Sequence, residues 1–120
     1  MDLSMENRLD WTICRVAGEI DIFSAHTLRE HLLAALDRPG SRLLLDLSRV
    51  TLMDTSGVAV LISTLRRAAQ RGGTLRLLAP SPAVCMVLRA TGLLAKFTVS
   101  SDLTGARTAE PLPGMRLMAS

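Results

Sequence analysis

The sequence predicts an α/β domain with a mixed, mostly parallel sheet of four to five strands packed with about four helices. Strand-like and helix-like segments alternate along the 120 residues, in the order strand, strand, helix, strand, helix, strand, helix, strand, helix. Such alternation is typical of parallel strands that are joined through helices. The nearly continuous apolar run at 43–47 is typical of a strand buried on both faces. A hydrophobic content of 48% is sufficient for one such domain with its own core.

The first third of the chain is predicted to form two strands and a helix. Alternating apolar residues indicate a first strand over 3–9 and a second over Trp11–Ala17. The run Gly18-Glu19-Ile20-Asp21 is predicted to end the second strand. Ser24 is a suitable N-cap for the helix that follows, whose apolar residues recur at helical spacing until Pro39-Gly40.

The middle of the chain is predicted to form a strand, a turn and a long helix. The buried strand at 43–47 leads to the turn Asp54-Thr55-Ser56-Gly57, and the helix after it ends at Gly72-Gly73. The residues of this helix that are predicted to face the sheet are Val58, Leu61, Ile62, Leu65 and Ala69.

The last part is predicted to add two strands and two helices. A strand over Thr74–Ala79 precedes Ser81-Pro82, which is a typical helix start. A short strand over Lys96–Val99 follows, and then a final helix from Ser101 or Asp102 to about Thr108. We therefore place one domain at residues 1–108 and a loose C-terminal tail at 109–120.

Composition argues against several classes of protein. Cys14 and Cys85 have no second thiol nearby, so each is expected to be a small buried side chain. His26 and His31 fall on different sides of a helix, so neither a metal site nor a cofactor is expected. The chain has no Gly-x-Ser-x-Gly run, so we do not expect an enzyme. Only 2% of residues are aromatic and the arginines are scattered, so no direct contact with nucleic acid is expected.

The N-terminus and the distribution of apolar residues predict a cytoplasmic protein. The mixed, acidic start of the chain does not resemble a signal peptide. No apolar run approaches the roughly 18 residues of a membrane span, so no membrane association is expected.

The turn at 54–57 is the segment best suited to regulation. It places two adjacent hydroxyls, those of Thr55 and Ser56, at a predicted helix N-terminus. Free backbone N–H groups and the positive end of the helix dipole favour an added phosphate there. Helix capping by Asp54 would account for the same residues, so spacing alone does not establish a switch.

A resemblance to a known family adds weight to the regulatory interpretation. Several segments carry this resemblance. In chain order they are Gly18-Glu19-Ile20-Asp21 with Ser24-Ala25, Leu44 to Val50, Met53 to Val58, Gly72-Gly73, Ser81 to Val84, and Thr91-Gly92-Leu93. In this order and spacing, the chain resembles a STAS domain, the family of sulfate transporters and anti-sigma factor antagonists, in its stand-alone bacterial form. The fold expected is therefore STAS-like.

The resemblance implies a partner-switching mechanism. An unphosphorylated antagonist binds an anti-sigma factor that is also a serine/threonine kinase, which releases a sigma factor and so regulates transcription. The kinase phosphorylates the antagonist, which dissociates, and a metal-dependent phosphatase resets it. By position the acceptor is Thr55, with Ser56 as the neighbouring alternative. The partner-binding residues implied are Asp21, Ser24, Asp54, Ser56 and Gly57.

An alternative within the same fold is a STAS module that serves a transporter or a lipid-transport complex, or that binds a small ligand. Fold alone does not separate these roles. The hydroxyl directly after Asp54 favours the sigma pathway.

Overall fold

A computed structural model describes residues 1–102 and shows an α/β domain. The elements in chain order are β1 (Asp2–Arg8), β2 (Trp11–Ile20), α1 (Ile22–Ala35), β3 (Arg42–Met53), α2 (Thr55–Gln70), β4 (Thr74–Leu78), α3 (Pro82–Ala90), a short 3-10 helix (Leu94–Lys96) and β5 (Thr98–Ser100). The predicted final helix lies almost entirely beyond residue 102, and with the tail at 109–120 it falls outside the described residues.

The five strands form one sheet in the order β1-β2-β3-β4-β5. β1 runs antiparallel to β2, whereas β2, β3, β4 and β5 run parallel to one another. The prediction of a mixed, mostly parallel sheet is therefore confirmed. Because the parallel strands point the same way, the helices that follow β2, β3 and β4 all begin at the same edge of the sheet.

Two clusters of buried side chains lie on opposite faces of the sheet. The larger one joins side chains of α1, α2 and α3 to alternate leucines of β3 and β4, such as Leu45 and Leu77. The smaller one consists of Trp11, Ile13, Leu44 and Leu78. The guanidinium carbons of Arg42 and Arg76 lie 5.9 and 5.8 Å from the centroid of the Trp11 ring, which places a cation near the aromatic face.

The face of α2 that was predicted to pack on the sheet is largely confirmed. Val58 and Leu61 are buried, and Ile62 and Leu65 are half-buried against the core. The exception is Ala69, which is exposed. Other members of the buried face are Gly57, Val60, Thr64 and Ala68, so the apolar stripe of the helix is rotated slightly from the predicted one.

The predicted end of the second strand is wrong, because β2 continues through Gly18 to Ile20. Gly18 has a φ of +95°, and the pairing of β2 with β3 shifts register on either side of it. A glycine in this conformation marks an irregularity within the strand, after which pairing resumes. β3 likewise runs to Met53, so both strands end directly before an aspartate.

Two smaller corrections concern the end of the domain and the thiols. The last strand is Thr98–Ser100, because Lys96 belongs to the 3-10 helix before it. Cys14 is fully buried, and this burial raises the pKa of its thiol to about 12. Cys85 is only half-buried, so the expectation of two buried thiols holds fully for Cys14 alone.

Candidate functional site

The predicted site residues lie at one edge of the sheet, where β2 and β3 end together. Ile20 pairs with Met53 in the parallel register. Asp21 and Asp54 follow these two residues, and the Asp54 N–H donates to the Ile20 carbonyl at 3.2 Å. The starts of α1 and α2 therefore lie side by side, which brings the loop with Asp21 next to the turn with Thr55.

The start of α1 is closed by a reciprocal cap. The Asp21 carboxylate accepts hydrogen bonds from the N–H groups of Phe23 at 3.0 Å and Ser24 at 3.1 Å. The Ser24 hydroxyl accepts from the Asp21 N–H at 3.0 Å and lies 3.2 Å from the Glu19 carbonyl, to which it donates. This is a capping box. The N-cap is thus Asp21, and the prediction that Ser24 is the N-cap is wrong by three residues.

The start of α2 has a simpler cap. The Asp54 carboxylate accepts from the Ser56 N–H at 2.9 Å, and the Asp54 carbonyl accepts from the N–H groups of Gly57 and Val58. The third helical residue here is Gly57, which has no side chain to return a bond to the Asp54 N–H. The neighbouring strand end, at Ile20, supplies that acceptor instead.

Gly57 is buried where α2 rests on the strand ends. A Cβ at this position would lie 2.7 Å from Met53 Cγ and 2.9 Å from Ile20 Cγ2, distances that real Cβ atoms do not tolerate. The close approach that this glycine permits is therefore an internal one, between the first turn of α2 and the two strands. It fixes the position of the turn that carries Thr55.

The two hydroxyls of the turn differ in exposure. Thr55, the first residue of α2, is exposed, whereas Ser56 is half-buried. Within residues 1–102, no hydrogen bond of the Thr55 hydroxyl is found. No acidic residue occupies the first turn of α2 beyond the N-cap. Within this helix the Asp54 carboxylate offsets part of the positive end of the dipole.

Sequence reasoning missed two exposed apolar residues at the same edge. Ile22 and Phe23, the first two residues of α1, are 68% and 90% exposed. Their signal in the sequence is two consecutive apolar residues that stand between the cap residues and outside the helical stripe of Ala25, Leu28 and Leu32. Periodicity points to buried residues, so it gives no weight to apolar side chains that point away from the core.

The histidines near the start of α1 are engaged along that helix. In the described part of the chain, no three His, Cys, Asp and Glu side chains come together as a metal site. His26 lies 3.4 Å from Glu30 and His31 bonds to the Thr27 carbonyl, both along α1. The arrangement leaves Thr55 exposed at the start of α2. Over residues 1–102, no helix has the length and hydropathy needed to cross a membrane.

Comparison with known proteins identifies the family. The model of the STAS domain family matches residues 2–106. The chain belongs to the STAS domain family. One STAS relative, the anti-sigma-B factor antagonist of Bacillus subtilis (strain 168), is 33% identical over 90 residues, which cover 75% of this chain and 82% of the relative. The anti-sigma-B factor antagonist of Listeria monocytogenes (strain EGD-e) is 33% identical over 78 residues, or 65% of this chain and 68% of that protein.

Solved structures of anti-sigma factor antagonists share the fold. The anti-sigma factor antagonist SpoIIAA in its unphosphorylated form superposes with a TM-score of 0.76 at 22% identity, covering 93% of this chain and 99% of that one. An anti-sigma factor antagonist from Mycobacterium paratuberculosis gives a TM-score of 0.77 at 28% identity, with 90% and 92% covered. The predicted STAS-like fold is confirmed.

Proposed function

We propose that this STAS domain is a cytoplasmic anti-sigma factor antagonist that works as a phosphoswitch. Its unphosphorylated form binds an anti-sigma factor with serine/threonine kinase activity, and the sigma factor is released. The kinase then transfers phosphate to Thr55, and the complex dissociates. A metal-dependent phosphatase removes the phosphate and restores binding. The names of the relatives support the antagonist role.

The observation that carries the proposal is the exposed Thr55 hydroxyl at the first position of α2. A kinase active site reaches such a hydroxyl without unfolding the domain. Phosphorylation adds about −1.5 to −2 charges. At a helix N-terminus this charge meets free N–H groups and the positive end of the dipole, so the fold tolerates it.

The partner is released because the phosphate changes the interface, and the fold of the antagonist itself does not change. A partner surface that fits a neutral hydroxyl meets a bulky, doubly charged group after phosphate transfer. Burial of an unpaired charge in an interface costs several kcal/mol, on the order of 2–5. The antagonist therefore dissociates while its own sheet and helices stay intact.

Thr55 is preferred over Ser56 because of its environment. Ser56 is half-buried, and its N–H is bonded to the Asp54 carboxylate. Access to the Ser56 hydroxyl is therefore more restricted than access to the hydroxyl of the exposed Thr55.

A test begins with the kinase that the unmodified chain retains from a lysate of its source bacterium. The purified kinase is incubated with the chain and ATP, and the modified peptide is mapped by mass spectrometry. We expect phosphate on Thr55, none in Thr55→Ala, and full modification in the matched control Ser56→Ala. Phosphate on Ser56 alone would move the acceptor by one residue. Failure of the kinase to modify either residue would contradict the phosphoswitch.

A further inference from the structure

In the first turn of α1, the polar side chains bond to the backbone of the turn and the apolar side chains are exposed to solvent. The Asp21 carboxylate and the Ser24 hydroxyl are engaged in the capping box. Between them, Ile22 and Phe23 are 68% and 90% exposed. This turn therefore presents an apolar surface to a partner, while its polar side chains hold the helix start in place.

Phe23 stands apart from the other aromatic residues of the chain. The sequence has one Trp, two Phe and no Tyr. Trp11 and Phe97 are 2% and 7% exposed, so both belong to the core. Phe23 projects from the side of α1 opposite Ala25, Leu28 and Leu32 and contributes to neither buried cluster. Its exposure has no explanation in the packing of the described domain.

The position of Phe23 links it to the proposed phosphorylation site. It follows the end of β2, and Thr55 follows the end of β3, at strands paired through Ile20 and Met53. A kinase that encloses Thr55 covers this edge of the sheet, so its surface extends onto the start of α1. Aromatic side chains, Phe among them, are enriched at the buried cores of protein interfaces.

We infer that Phe23, supported by Ile22, is the apolar anchor by which this antagonist selects its kinase, and that it inserts into an apolar pocket beside the kinase active site. The inference rests on the proposed function, and it names the residue that determines which kinase this chain binds. The bond from the Phe23 N–H to the Asp21 carboxylate fixes the backbone beneath the ring. A backbone held in place before binding loses less conformational freedom on association.

The test compares Phe23→Ala with Leu9→Ala in binding to the purified kinase that the wild-type chain retains. Leu9 is 57% exposed and lies in the β1–β2 turn, at the opposite end of β2 from Ile20. We expect Phe23→Ala to weaken binding about tenfold or more, and Leu9→Ala to stay within about twofold. Phe23→Leu should recover most of the affinity, because it keeps an apolar side chain.

Phosphorylation kinetics give a second measurement that a purely structural role would not affect. Phe23→Ala should raise the KM for the antagonist with little change in kcat, because Thr55 and its turn are unaltered. Wild-type affinity in a folded Phe23→Ala variant, together with loss of binding in Thr55→Glu, would overturn the anchor and leave the phosphoswitch intact. Failure of the wild-type chain to bind any kinase would contradict the proposed function, and the anchor with it.

Discussion

Two helices begin side by side at one edge of the sheet, and their first turns are built in opposite ways. In α1, Ser24 at the third position completes a reciprocal cap, and the first two residues are apolar and exposed. In α2, the third position is the buried Gly57, and the first residue is the exposed Thr55. A hydroxyl that completes a cap is structural, whereas a hydroxyl outside the cap is available to a partner.

The same contrast explains how each turn is fixed. The α1 turn is held by its own side chains, through the bonds between Asp21 and Ser24. The α2 turn is held by contact with the strand ends, through Gly57 against Met53 and Ile20 and through the Asp54 N–H. Each mode of attachment predicts a different sensitivity to substitution.

The largest effect on stability is expected at Gly57. Gly57→Val introduces a branched side chain where even a Cβ would lie 2.7 Å from Met53 Cγ. Overpacking of this kind costs up to about 3 kcal/mol. The matched control is Thr55→Val, which places the same side chain at the exposed position of the same turn and should change the free energy of unfolding by less than about 0.5 kcal/mol. Urea denaturation of both variants measures the difference, and equal effects would refute the packing role of Gly57.

A smaller difference is expected between the two cap aspartates. Asp21→Ala leaves two N–H groups without their acceptor and should cost about 1–2 kcal/mol. Asp54→Ala removes the acceptor of one N–H group and should cost about 1 kcal/mol. The free energies of unfolding from urea titrations test this order. A larger loss of unfolding free energy in Asp54→Ala than in Asp21→Ala would contradict this order.

The smallest effect is expected at Ser56. No side-chain hydrogen bond of Ser56 is found over residues 1–102, and its N–H remains bonded to Asp54 in a Ser56→Ala variant. The melting temperature and the kinase affinity of this variant should match those of the wild-type chain. A marked drop in affinity would assign the partner contact to Ser56 and weaken the distinction between the two hydroxyls.

The fold was predictable from the sequence because its largest signals are local patterns of apolar residues. The buried run at 43–47 and the apolar stripe of α2 depend on local spacing, which burial enforces. The ends of elements were less predictable. β2 passes through Gly18 because pairing with β3 resumes beyond it, and this long-range contact leaves no trace in the local pattern.

The candidate site was predictable in part for the same reason. Asp54 and Thr55 stand at a clear junction of strand and helix, and Asp21 was found through the family resemblance. Their shared edge follows from the parallel pairing of Ile20 with Met53. The reciprocal cap of Asp21 and Ser24 had a signal, the capping-box spacing of three residues. The exposure of Phe23 had a signal that periodicity does not weigh, its place between the cap residues and outside the helical stripe of α1.

The central claim is that phosphate on Thr55 blocks the interface and spares the fold. Isothermal titration of the purified kinase with the unmodified and the Thr55-phosphorylated chain tests it most directly, with thermal denaturation of both forms alongside. We predict an affinity at least about 30-fold weaker for the phosphorylated form, from an unpaired interfacial charge, and an unchanged melting temperature. Equal affinities for the two forms, or a phosphorylated chain that has unfolded, would contradict the account.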